Sequence, residues 1–337
     1  MAAGQAAISI RCLLTNEEGV ITLNNEIETG NSEETKYMLS SRAAQKGKHL
    51  LFLILISLSM YPNHLLANGI IQWGRLDFPP FEISAGSFKN KGIVDVFRGI
   101  VERGLVNYKH EDAGLMTYTR LKVLLKTDTI CHGALMRTPE IEELSYLSVG
   151  IGIMPSHALL TSMENYKATF NHQNMISLQH IIKMENIILG AQSRTMGPVI
   201  DSIIEKHKNQ KNILIRNVPT INGLFKMLFH KRLDYIVGYP AEAMFWNEQK
   251  PQDRQLAVIP FKETAGQYTI GRLACSRNEE GKKIIKRANK IISNQRMKDD
   301  FIDSVYLQWI PENMKSNYLE DYKRISPRTT GAALSKE

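Results

Sequence analysis

Cysteine is scarce in this 337-residue chain: Cys12, Cys131 and Cys275 are the only three, and none is spaced with histidine or another cysteine as a zinc site requires. The sequence holds no GxxxxGK[ST] phosphate loop, no GxSxG nucleophile elbow, no internal repeat and no low-complexity tract. Those absences leave no sequence sign of P-loop nucleotide chemistry, of a serine hydrolase or of a repeat architecture. Long apolar runs are missing as well, with one exception at residues 50–60, LLFLILISLSM.

The flanks of that run define it. Arg42, Lys46, Lys48 and His49 precede it, and Pro62 and then Leu65-Leu66-Ala67-Asn68 follow. A basic segment, an apolar segment and a small residue form the pattern of a secretory signal peptide, with cleavage expected after Ala67. Eleven residues rise only about 16 Å as a helix, whereas a hydrocarbon core needs about 20 residues. The alternatives are an uncleaved anchor or a buried helix. No cysteine follows the expected cut, so lipid attachment there is not expected. Residues 1–37 are polar and acidic without helical or strand period, and Met38 would serve as a conventional start. Residues 1–37 are therefore read as a non-native or disordered extension and 38–67 as the signal peptide.

Residues 68–337 are enough for one large or two modest domains with real cores. Residues 1–67 carry five basic and six acidic side chains, which leaves 37 and 28 in the remainder, a formal +9. The cations are dispersed apart from small groups such as Lys282-Lys283 and Lys286-Arg287, which read as a solvated helix face. No nucleic-acid partner, metal or cofactor is expected. With Cys12 lost in the leader, Cys131 and Cys275 remain as a pair in an oxidising space. A disulfide and two separate buried thiols both stand as readings.

Strand and helix signals alternate twice. Gly69 to Trp73 reads as a strand, Asp77-Phe78-Pro79-Pro80-Phe81 as the loop leaving it, and Gly92 to Leu105 as an amphipathic helix. A strand near Leu115–Tyr118, a helix over Thr119–Leu125 and a strand over Cys131–Leu135 follow. The pattern restarts after residue 160, with strands at Ile187–Leu189, Ile213–Ile215 and Tyr235–Gly238, and helices at Val199–Lys206 and Ile221–His230. Helices near Glu280–Ile292 and Met297–Tyr306 close the chain before a polar tail from about Lys323. Gly150–Thr161 and Gln267–Cys275 read as two extended crossings. This order argues α/β lobes, each a mostly parallel sheet flanked by helices. Lobe 1 is expected over 68–155 and 270–325, lobe 2 over 156–269, and a tail over 326–337.

The landmarks DFPPF (77–81), GIVDVFRGI (92–100), TRLKVLL (119–125), CHGALMRTPEIEELSYLS (131–148), SRTMGPVID (193–201), LFKMLFHKRLDYIVGYPAEAMF (224–245) and YLQWIP (306–311) come in a telling order. Together they resemble the type II periplasmic solute-binding proteins of family 3, the amino-acid-type receptors of ABC importers, in a poorly characterised branch. The resemblance spans roughly residues 70–320. It implies a two-lobed fold joined by two hinge strands, with a small molecule trapped between the lobes in the periplasm of a Gram-negative cell.

By position, the resemblance assigns Phe78 and Tyr118 to the aromatics that sandwich the ligand, and Thr138 to the hydroxyl that meets a ligand carboxylate. Either aromatic could instead be a core residue. The arginine that clamps the carboxylate falls at Ile141 here, and Arg137 stands close enough to substitute or to form a surface ion pair. Ser193 to Gly197 opens a helix where backbone N–H groups would meet an anion, with Arg194 and Thr195 adding charge and hydroxyl. The alternative is an ordinary cap by Ser193 or Thr195. The aspartate that pairs with an α-ammonium falls at Tyr239, and Glu242 is the nearest replacement. Losing both charged partners argues against a plain amino-acid zwitterion and for an anionic, aromatic or peptide-like solute.

A monomer working with a membrane permease is the expectation, with a periplasmic sensor input for a membrane signalling partner as the alternative. A two-lobed lyase or dehydratase would need a carboxylate or histidine in the cleft. Glu140, Glu242, His132 and His157 are candidates, but their spacing names no reaction, so no catalytic residue is assigned.

Overall fold

The computed structural model describes residues 69–218, 220–296 and 300–331. The apolar run at 50–60, the expected cut after Ala67, the 1–37 extension and the last six residues lie outside the described residues.

The described residues start with β1 (Ile70–Arg75), α1 (Ile93–Gly104), β2 (Lys109–Leu115), α2 (Tyr118–Thr127), β3 (Ile130–Met136), α3 (Pro139–Leu144) and β4 (Ser145–Pro155). A second series runs β5 (Ala158–Ser162), α4 (Met163–Ala168), α5 (Leu178–Ile181), β6 (Leu189–Gln192), α6 (Pro198–His207) and β7 (Ile213–Arg216). It continues through α7 (Asn222–Phe229), β8 (Tyr235–Gly238), α8 (Pro240–Asn247) and β9 (Leu256–Pro260). The chain then returns as β10 (Tyr268–Ser276), α9 (Glu279–Arg296), α10 (Asp300–Val305) and α11 (Glu312–Gly331).

Two five-stranded sheets result, ordered β2-β1-β3-β10-β4 and β7-β6-β8-β5-β9. In each, the first three strands are parallel. The fourth is antiparallel to both neighbours, and it is the strand that has just crossed from the other lobe. The fold is α/β with two lobes of mostly parallel sheet, as the sequence order argued. Ser156 and His157 make the first crossing, between β4 and β5. Residues 261–267 make the second, through a short 3-10 turn rather than a continuous strand.

Local sequence explains the elements that carry function. Helix α1 buries Ile93, Val94, Phe97 and Val101 along one face. Its Asp95 carboxylate accepts from the Gly92 and Ile83 backbone N–H groups at 3.1 and 2.8 Å, pinning the preceding loop to the helix start. A Cβ at Gly92 would stand 2.5 Å from the Phe81 carbonyl oxygen, so only glycine lets the loop fold back this closely.

Two further differences from the sequence reading bear on the site and the chain's end. Tyr118 is not in a strand. It opens α2 behind Thr117, whose hydroxyl caps the helix by accepting from Arg120 N at 3.2 Å. The strand lies earlier, over Lys109–Leu115, where its polar residues (KHEDAGL) hid it. Helix α11 also runs on to Gly331, past Lys323, where a polar tail was expected to begin.

Each lobe has its own core, yet they share a border. Tyr239 and Phe245 of the second lobe belong to the first lobe's apolar cluster with Trp73, Phe97 and Trp309. Phe245 meets Phe88 and Trp309, each with ring centroids 5.8 Å apart. Cys131 of β3 stands opposite Cys275 of β10, and the two are joined as a disulfide 144 residues apart in sequence.

Candidate functional site

The loop after β1 brings two aromatic rings to the border between the lobes. Phe78 and Phe81 stack with centroids 4.9 Å apart, and Phe81 meets Tyr239 edge-on at 5.2 Å. A charged network below the loop holds it in place. Glu82 accepts from Leu76 N at 2.7 Å and from the His132 ring at 3.1 Å. Arg75 reaches Asn90 at 3.0 Å and Asp95 at 3.4 Å. Burial raises the Asp95 pKa, and the neighbouring Glu82 adds to the rise against its backbone donors and Arg75.

The second lobe supplies the opposing wall. Arg194 follows β6, and its two terminal nitrogens bind the two oxygens of Glu242 at 2.8 and 2.6 Å. Glu242 is 2% exposed, and it also accepts from Tyr239 N at 2.8 Å at the start of α8. The Arg194 guanidinium lies 5.1 Å from the Phe78 ring centre and 5.2 Å from that of Tyr239. Burial disfavours this charge, but the carboxylate of Glu242 outweighs it and raises the Arg194 pKa. Tyr239 OH approaches the Met136 sulfur at 3.9 Å, a further contact across the border. Phe78 and Phe81 follow the C-terminal end of β1, Arg194 that of β6, and Tyr239 and Glu242 that of β8, while Met136 ends β3; this is the edge where open α/β sheets hold ligands.

Four of the eight predicted contacts therefore meet: Phe78, Arg194, Tyr239 and Glu242. The other four do not join them. Tyr118 is 45% exposed, with Lys122 over its ring at 5.3 Å. The Thr138 hydroxyl caps α3, accepting from Ile141 N at 3.2 Å, and Pro139 at the first helical position completes an ordinary helix start. Arg137 is exposed and pairs with Glu142 at 2.6 Å, the surface ion pair weighed as its alternative. Thr195 is exposed and caps nothing: α6 begins at Gly197 (φ 101°) and Pro198, and Asp201 accepts from Met196 N at 2.9 Å. Phe81 was missed as a contact, although it lies in the same DFPPF motif as Phe78.

No protein-family model matches the chain, and no curated protein matches it. Solved structures do. A probable amino-acid ABC transporter extracellular-binding protein from Bacillus subtilis is 14% identical, with 72% of this chain and 98% of that one covered at a TM-score of 0.54. An amino-acid ABC transporter substrate-binding protein from Streptococcus pneumoniae, bound to L-arginine, is 14% identical over 72% and 93% of the two chains, TM-score 0.52. An ancestral amino acid-binding protein, a precursor of cyclohexadienyl dehydratase, is 15% identical over 72% and 96%, TM-score 0.52. The fold is that of the two-lobed periplasmic binding proteins.

Of the four candidate acid and base groups, Glu242 and His157 lie around Tyr239 at the seam, whereas His132 and Glu140 lie apart from them. His132 is buried beneath the first-lobe loop against Glu82, and Glu140 pairs with Lys122 at 2.8 Å. Glu242 is engaged by Arg194. Among the described residues, no group of histidine, cysteine, aspartate or glutamate is arranged to hold a metal, and no helix is long and apolar enough to cross a membrane.

His157, in the first crossing, stacks on Tyr239 with centroids 3.8 Å apart and is 2% exposed. Burial, and then the charge of Arg194, push its pKa well below the ordinary imidazole value. The unfolded chain takes up a proton as pH falls through about 6.5, while the folded chain does not until much lower. Stability from this site is thus complete above about pH 6.5 and is lost below it, by about 1.4 kcal/mol per pH unit until the folded pKa is reached. Thermal unfolding of wild type and His157→Gln between pH 7.5 and 5 checks this: the variant should show a flatter profile, and parallel profiles would refute it.

Proposed function

We propose that this chain is an extracytoplasmic solute receptor that captures a small molecule between its lobes for an ABC-type importer. One observation carries the reading: loops from both lobes, at the C-terminal edges of their parallel strands, converge on one seam of three aromatic rings and a half-buried arginine paired with a buried carboxylate. Hinged lobes would close on a guest there, stabilised only by contacts the closed form adds. The similar structures, named as amino-acid receptors, support the reading at the level of fold.

Ligand chemistry follows from what the seam offers. Ile141 replaces the expected carboxylate-clamping arginine and is fully buried. Arg137 and Arg194 are both already paired. A free zwitterion finds neither of its usual partners, and the paired arginines weaken the case for a simple anion. A solute with an aromatic or peptide-like body fits the rings of Phe78, Phe81 and Tyr239 through stacking and apolar burial. Export and a periplasmic location rest on the pattern at 38–67.

A thermal-shift screen over amino acids, short peptides, organic acids and aromatic solutes tests the reading. One chemotype should raise the melting temperature, since a ligand at a hundred times its Kd adds about 2.7 kcal/mol. No shift from any class would count against a receptor.

A further inference from the structure

Arg194 stands where a guest of the seam would stand. Its guanidinium touches the first lobe through Phe78 and the second through Tyr239, while both ends of its fork are bound to Glu242. An aromatic face, a second aromatic face and a buried carboxylate form a complete site for a planar cation. Here that cation belongs to the chain.

We propose that Arg194 is an internal occupant of the interlobe seam, a latch that joins the lobes and that any solute stacking between Phe78 and Tyr239 must displace. The proposal rests on the receptor reading for its second half but not for its first. Arg194 projects from the turn between β6 and α6, whereas Glu242 is fixed in the first turn of α8 and hydrogen-bonded to Tyr239 N. The acceptor is rigid, and the arginine, on a long side chain from a short loop, is the part that moves. Apparent solute affinity is then the intrinsic affinity reduced by the fraction of molecules in which Arg194 has swung away. The opposite role, Arg194 as a direct donor to a ligand anion, predicts the opposite result on its removal.

The test uses guanidinium ion as the probe. Arg194→Ala leaves a cavity of guanidinium shape beside an unpaired Glu242, so the full-length variant should melt lower than wild type. Millimolar guanidinium chloride should then raise its melting temperature relative to equal sodium chloride. Wild type, whose site is filled, should show no rise, and neither should Arg194→Ala/Glu242→Gln, which lacks the carboxylate. If Arg194→Ala does not stay folded on its own, its yield on refolding in millimolar guanidinium chloride against equal sodium chloride gives the same comparison, with Arg194→Ala/Glu242→Gln as the control. Absence of protection, or equal protection with and without Glu242, would overturn the latch whether or not a solute is known. With a solute found in the screen, Arg194→Ala should bind about tenfold more tightly or better. Weaker binding would instead make Arg194 a ligand contact and refute the exchange, leaving the receptor reading intact.

Discussion

Replacing Glu242 with alanine should destabilise the protein by up to about 3–5 kcal/mol, because it leaves the largely buried Arg194 guanidinium without its partner. For a chain of this size that corresponds to a fall in Tm of roughly 6–20 °C. The lost acceptor of Tyr239 N at the start of α8 adds to the penalty. A second arginine–carboxylate pair provides the control. Arg137 and Glu142 are as close, at 2.6 Å, but their side chains are 55% and 41% exposed, against 19% and 1% for Arg194 and Glu242. Water screens the exposed pair, so Glu142→Ala should cost only about 0–1 kcal/mol. The double replacement Arg194→Met/Glu242→Leu should be less harmful than Glu242→Ala alone, since it removes both charges rather than orphaning one. Urea unfolding of the four proteins decides the matter. Similar costs for Glu242→Ala and Glu142→Ala would show that burial does not govern the seam pair.

Removing the Cys131–Cys275 bridge should cost a comparable amount. The bond spans 144 residues of chain, so it restricts the unfolded ensemble heavily, and losses of this kind run to about 2–5 kcal/mol. It also ties β3, which ends at Met136 beside Tyr239, to the returning strand β10. Cys131→Ala/Cys275→Ala and reductant-treated wild type should therefore melt lower by a similar margin, several degrees or more. Alkylation of both thiols in unreduced protein, or an unchanged Tm after reduction, would remove the bridge from the account. The bridge also fits export, because such bonds persist in oxidising compartments.

The order of strands and helices was legible because periodicity is a local property, and apolar stripes such as Ile93, Phe97 and Val101 need no knowledge of the rest of the chain. Strand β2 was less legible, since its edge position leaves its side chains polar and its period silent. Positions taken from the resemblance divided by what surrounds them. Phe78 and Tyr239 reach the seam because the loops after β1 and β8 both leave the C-terminal edge of a sheet. Tyr118 fails because Thr117 caps a helix one residue earlier and turns the ring toward Lys122 and solvent. Thr138 is occupied for the same kind of reason, its hydroxyl engaged by the N–H of Ile141. The Arg194–Glu242 pair lay beyond the sequence altogether. Both residues could be named singly, but 48 positions separate them, and only packing of the β6 and β8 loops shows that one neutralises the other.

A captured solute should sit against Phe78 and Tyr239 between the lobes. Calorimetric titration of the best solute from the thermal screen, against wild type, Phe78→Ala and Tyr239→Ala, tests it most directly. Wild type should show one site per chain, and each variant at least a tenfold loss of affinity, the value of about 1.4 kcal/mol expected for a lost stacking contact. Unchanged affinity in both variants would place the solute elsewhere and refute binding at this seam.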